Sequence, residues 1–190
     1  MMEYKYTTTF EAPILACEIS EASLISEASL KNLEPLVPKD IDYSENVDLM
    51  GVAFNAAVIN QFNKNGDGMD TSTAVKYTKK FIHKPTNIEH DKQKVVGHVV
   101  SAGYSKFDSS ELMGEEEVKT LKEPFNISLG AVIYKTVNPN FTNLVKNSLD
   151  PDSSQYQKVS ASWEVGFNSY VLAVGSDNLS EARIISDPEE

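Results

Sequence analysis

The chain has 190 residues, 41% of them hydrophobic, with 28 acidic against 17 basic side chains and a formal net charge of −11. That length supports one sizeable core, and the acidity argues against a nucleic-acid binder, which needs concentrated basic surface to release counterions. No apolar run approaches the roughly eighteen residues that span a bilayer, so neither a membrane segment nor a secretory signal is expected, and the lone Cys17 excludes an internal disulfide and suits a reducing cytoplasm.

In chain order, residues 4–10 alternate weakly between apolar and polar and predict an edge strand or a loose arm. Residues 17–34, rich in Glu, Ala, Ser and Leu, predict a helix that ends before Pro35. A Pro-bounded link over 35–47 leads into the apolar run from Asp48 to Ile59, read as a buried strand. Asp70 or Thr71 is placed to cap a helix running to about Phe81 and stopping before Pro85. Strands are predicted over 94–104 and 125–135, then a helix over 140–149 with Phe141, Leu144, Val145 and Leu149 on one face. Two strands share 158–174 with a bend near Gly166 to Asn168, and a last strand runs from Ala182 to Ser186. Strands interspersed with short helices predict an α+β fold around a barrel-like antiparallel sheet. The expected division is an amino-terminal arm over 1–47 and one domain over 48–190.

Asn63 to Gly68 imitates the start of an EF-hand calcium loop, with Gly68 at the sixth position. The twelfth position is Ala74, where such a loop needs a bidentate Glu. A Gly-Asx turn between strand and helix explains these residues without a metal. No cofactor is expected. The Glu115-Glu116-Glu117 run and the Asp187-to-Glu190 tail read as solvated faces.

Two stretches carry chemistry. Pro85-Thr86-Asn87-Ile88-Glu89-His90-Asp91 is followed after a short basic turn by Val95-Val96-Gly97-His98-Val99-Val100. It puts His90 at a loop tip at the mouth of a strand, a suitable place for a general base whose ordinary pKa lies near neutrality. Lys158 to Val165 alternates strictly, so Val159, Ala161, Trp163 and Val165 face a core while Ser160, Ser162 and Glu164 share the other face. A serine on a rigid strand can act as a nucleophile when an imidazole lies within hydrogen-bond reach. His83, at a helix end, and His98, inside a Val-rich strand, are alternative bases with ready structural roles.

Together these stretches resemble the prohead (procapsid maturation) proteases of tailed phages and the related herpesvirus assemblins. The P-T-N-I-E-H-D…V-V-G-H-V pattern is similar to that family's histidine segment, and S-W-E at Ser162 to Glu164 to its serine motif. The 72 residues from His90 to Ser162 suit its order of His first and Ser later, and Phe125 to Lys135 reads like one of its strands. The resemblance covers roughly residues 48 to 187 and is carried by the combination.

What the resemblance implies is a serine endopeptidase that cleaves scaffold and major capsid proteins, and itself, inside the prohead in the host cytoplasm. Ser162 would be the nucleophile and His90 the general base. Glu181, which opens the last strand, would be the third member, with Asp187 and Glu164 as alternatives. The family's preference for Glu before the cut bond, with Ile or Leu two positions earlier and a small residue after, is met at Ile19-Ser20-Glu21-Ala22. It is met again in the identical hexamer that follows, at Ile25-Ser26-Glu27-Ala28, and at Leu179-Ser180-Glu181-Ala182. A homo-oligomer activated by assembly is expected, with neither nucleic acid nor membrane as partner. The rivals are a catalytically inactive capsid-interior scaffold protein of the same fold and a small binding module that uses the acidic loops for a cation.

Overall fold

The computed structural model describes residues 4–13 and 32–186, with side chains up to Phe10 in the first stretch. Its centre is a five-stranded antiparallel sheet whose longest members are β2 (Leu49–Ile59), β4 (Val95–Lys106) and β6 (Phe125–Tyr134). β6 lies between β2 and β4, and the outer edge of β4 is shared by β3 (Pro85–Asn87) at one end and β5 (Leu112–Met113) at the other. A second sheet pairs β1 (Tyr6–Pro13) with β7 (Ser160–Phe167), and a third pairs β8 (Leu172–Val174) with β9 (Arg183–Ile185), all antiparallel.

The alternation of β2 explains how the large sheet is used. Met50, Val52, Phe54 and Ala56 point into the main core beside Ile127, Leu129, Ala131 and Ile133 of β6. A bulge between Asn55 and Ala57 then shifts the register, so that Ala57 and Ile59 continue the same apolar face. The opposite face is built from small and polar residues. Asn55 Oδ1 accepts from Ser128 Oγ (2.7 Å) and Ser105 Oγ (3.2 Å), and Asn126 Nδ2 donates to the Lys106 carbonyl (2.8 Å). Leu33, Val37 and Ala53 form a small second core on this side. The covering segment lies so close that a Cβ at Gly130 would collide with the Leu36 carbonyl oxygen.

The helices are short. Asp70 caps α1 (Thr71–Tyr77), its side chain accepting from the Thr73 amide at 2.9 Å, and a 3₁₀ turn over Thr78–Phe81 completes the expected span. α2 (Glu115–Val118) was not anticipated from the sequence pattern, nor were β3 and β5, because elements of two to four residues show no periodicity. Asn138 caps α3 (Pro139–Leu149), which packs Val145 and Leu149 into the main core.

The long strands and the α3 helix agree with the sequence reading, and the mixed α+β class with mostly antiparallel sheets is as expected. One expectation needs correction. The sheets do not close into a barrel: β2 forms one edge of the large sheet, β3 and β5 the other, and β1–β7 is a separate sheet packed on the apolar face. The helix expected over 17–34 falls almost wholly outside the described residues; just after it a separate 3₁₀ turn, Glu34–Leu36, holds Pro35 in its first positions. Proline is tolerated there because the first helical positions leave their N–H unbonded anyway. The expected division at residue 47 is bridged by pairing, since β1 lies along β7 and Leu33 and Val37 are buried against the large sheet.

Candidate active site

β7 carries the alternation foreseen for it. Val159, Ala161, Trp163 and Val165 pack against the main core, while Ser160, Ser162 and Glu164 are exposed. Trp163 fixes the strand: its ring stacks on Phe10 at 4.8 Å between centroids, meets Phe81 edge-on at 4.8 Å, and its Nε1 donates to the Ala56 carbonyl at 3.1 Å. Such aromatic contacts hold backbone as well as side chain. The entry to β7 is held too, because Ser148 Oγ accepts from the Val159 amide at 3.1 Å.

His90 sits in the loop joining β3 to β4. The Asp91 amide donates to the Ile88 carbonyl (3.0 Å), closing a turn whose central residues Glu89 and His90 have φ of 52° and 58°. Two positive φ values in succession are what a type I′ turn requires, and neither residue is Gly or Asn, which adopt them at least cost. A second turn follows, closed by the Lys94 amide on the Asp91 carbonyl (2.9 Å). Asp91 braces it: the Gln93 amide and the Lys94 ammonium, 3.1 Å away, hold its carboxyl below the usual carboxylate range. Beneath the loop β4 lies tight against β6, because Gly97 has no Cβ to collide with the Val132 carbonyl oxygen.

The two elements meet at one point. His90 Nε2 lies 2.9 Å from Ser162 Oγ, and both side chains are exposed to solvent. With the other ring proton on Nδ1, Nε2 accepts the serine hydroxyl's hydrogen, the arrangement a nucleophile and its base need. Ser160, two residues away on the same face, makes no such contact. Of the alternative bases, His98 Nδ1 pairs with the Tyr134 hydroxyl at 2.8 Å, while His83 is exposed at φ 69° with its backbone amide on the Val99 carbonyl.

The structure does not bring Glu181 to His90. Glu181 lies in the turn before β9 and accepts from Ser176 Oγ at 3.4 Å. Glu164 is exposed beside Ser162 on β7 without a contact to the imidazole, and Asp187 lies outside the described residues. Among the described residues Ser162 is the hydrogen-bond partner of His90, and no carboxylate is within ion-pair distance of it. The Ile19-to-Ala28 cleavage-like sequences also lie outside the described residues, as does Cys17.

Sequence reasoning missed the residues that hold the site together. Phe10 and Phe81 clamp Trp163 from separate elements, and an isolated Phe in an arm or at a helix end gives no sign of its partner. Asn60 is another: buried with φ 62°, it ends β2 and donates from Nδ2 to Thr71 Oγ1 (2.9 Å) and the Glu123 carbonyl (3.1 Å). An Asn closing an apolar strand is a signal for a left-handed residue, and it was available.

No family model, no curated protein and no solved structure matches this chain.

Proposed function

We propose that this chain is a serine endopeptidase of the prohead-protease kind, with Ser162 as nucleophile and His90 as general base. The reading rests on one observation, the 2.9 Å approach of Ser162 Oγ and His90 Nε2 from elements 72 residues apart. It is supported by the exposure of both groups, which leaves room for a polypeptide, and by the rigid seating of β7 through Trp163.

The chemistry follows from the pair. Ser162 Oγ attacks the scissile carbonyl carbon while Nε2 takes its proton. The imidazolium then gives that proton to the leaving amine as the C–N bond breaks, leaving an acyl ester on Ser162. Water, deprotonated by the same Nε2, cleaves the ester and restores the hydroxyl. The substrates in this proposal are the scaffold and major capsid proteins of an assembling shell, cut after Glu, with activity rising on assembly into a homo-oligomer.

Alanine variants test it against a peptide containing Ile-x-Glu-Ala. Ser162→Ala and His90→Ala should each lower kcat/KM by at least about a thousandfold, and the double variant should be no worse, since members of one catalytic unit are not additive. Ser160→Ala should keep substantial activity. Loss of an exposed hydroxyl costs well under ~1 kcal/mol, so melting temperatures should hardly move. A dead Ser160→Ala beside an active Ser162→Ala would move the nucleophile, and full activity in all three would end the reading.

The lack of a described carboxylate on His90 favours a second reading, an inactive capsid-interior protein of the same fold. A fluorophosphonate probe separates the two, since labelling at Ser162 requires an activated hydroxyl.

A further inference from the structure

Ser162 and His90 line a cleft of about 2500 Å³ whose walls include β7, α1, the 3₁₀ turn after it, and the β3–β4 loop. Its charge is unlike that of the rest of the chain. Six lysines and four carboxylates line it, a local excess of positive charge on a protein whose net charge is −11.

The pairing inside the cleft sharpens the difference. Lys119 is occupied by Glu115 and Glu116. Lys76, Lys80, Lys84, Lys92 and Lys158 make no ion pair among the described residues, and all five are exposed. Of the carboxylates, Asp67 is engaged by the Thr8 hydroxyl and Asp70 caps α1, which leaves Glu89 and Glu164. Lys76 and Lys80 stand four residues apart, a spacing at which like charges repel. Both ammonium groups gather at one ring, 5.1 Å and 5.0 Å from the centroid of Tyr77. The segment is also tied to the strand that carries Ser162, because Phe81, adjacent to Lys80, packs edge-on against Trp163 at 4.8 Å.

We infer that this lysine wall is a docking site for an acidic stretch of polypeptide, held by Lys76, Lys80 and Lys84 away from the bond being cut. The inference deepens the endopeptidase reading by naming what selects the substrate. Four unpaired lysines in the 17 residues from 76 to 92 repel one another, and a carboxylate-rich segment relieves that repulsion. A short acidic peptide suits the wall better than nucleic acid, because a long polyanion would also meet the acidic surface outside the cleft.

The test is binding, in a Ser162→Ala protein that cannot consume its ligand. A fluorescein-labelled dodecapeptide with alternating Glu is compared by anisotropy with its Gln counterpart. Several exposed ion pairs acting together should favour the Glu peptide by at least about tenfold at low salt, with most of the preference gone at about 0.5 M salt. Adding Lys76→Glu and Lys80→Glu, both on exposed side chains, should remove the preference without lowering the melting temperature. Equal binding of the two peptides, a preference that survives the reversals, or tighter binding of a single-stranded oligonucleotide would each overturn the inference. Its failure is separable from that of the protease reading: a wild-type protein that cleaves Glu-flanked and Gln-flanked substrates equally keeps the enzyme and loses the lysine wall. Lysine-dependent binding without cleavage keeps the wall and loses the enzyme.

Discussion

At the scale of single residues, strained backbone and unmet hydrogen bonds are held in place by their surroundings. Glu89 and His90 both lie in the left-handed region, a conformation that costs a non-glycine residue about 1–3 kcal/mol and persists where neighbours over-determine it. The braced turn at Asp91 supplies that constraint, and the imidazole is aimed by backbone instead of by a described carboxylate. Tyr43 is the other case. Its hydroxyl is shut away against Gly51 with no hydrogen-bond partner among the described residues, and burial, aided by Asp40, pushes its pKa up to about 12. Tyr43→Phe should therefore raise stability by about 1 kcal/mol in urea titrations at neutral pH, since an unpaired buried hydroxyl is a net cost. The sign of the pH effect follows from linkage. Above the ordinary value of 10.0 the unfolded chain loses the phenolic proton first, so this group's contribution is intact below pH 10.0 and is lost as pH rises towards 12. The Phe variant should show a shallower decline of melting temperature over that window, and an unchanged decline would refute the assignment.

At the scale of elements, α1 depends on its cap. Burial pushes the Asp70 carboxyl up, but hydrogen bonds from Thr73 and Ser72 outweigh it and hold the pKa below its ordinary 3.8. Asp70→Ala should cost about 1 kcal/mol, whereas Asp70→Asn should keep most of the stability because its amide oxygen still accepts from Thr73. The charged cap's extra contribution is present above pH 3.8 and is lost as pH falls through the lower folded-state value. Melting curves between pH 2 and pH 6 should thus converge for wild type and Asp70→Asn at the acid end. Parallel curves would show that Asp70's charge is irrelevant. The same element presents Lys76, Lys80 and Phe81, so a frayed α1 should also weaken peptide binding in the cleft.

At the scale of the molecule, the large sheet is asymmetric by design of its side chains. One face carries the apolar core that seats β1 and β7, and the other is stripped to Gly, Ala, Ser and Asn so that the Leu33-to-Val37 segment can lie directly on it. Gly130→Ala should be damaging, because the new methyl would meet both the Leu36 carbonyl and Ser101 Oγ. Overpacking of this kind costs about 1–3 kcal/mol, and denaturant unfolding at matched m-value measures it. A loss below about 0.5 kcal/mol would mean that the covering segment is free to move away.

How much of this was legible beforehand divides along one physical line. The periods that made α3 and β7 readable come from burial of one face, the apolar run of β2 from burial on both, and either kind of burial leaves its trace in the local order of apolar residues. The alternation of Lys158 to Val165 accordingly set which side Ser162 would face, and the run before Val95 set His90 at a loop tip. The short elements left no period to read. The meeting of His90 with Ser162, the clamp of Phe10 and Phe81 on Trp163, the open sheet in place of a barrel and the separation of Glu181 from the imidazole were decided by tertiary structure alone. Each depends on how far apart in space the chain carries residues remote in sequence, and that distance is set by twist, bulges and packing across elements.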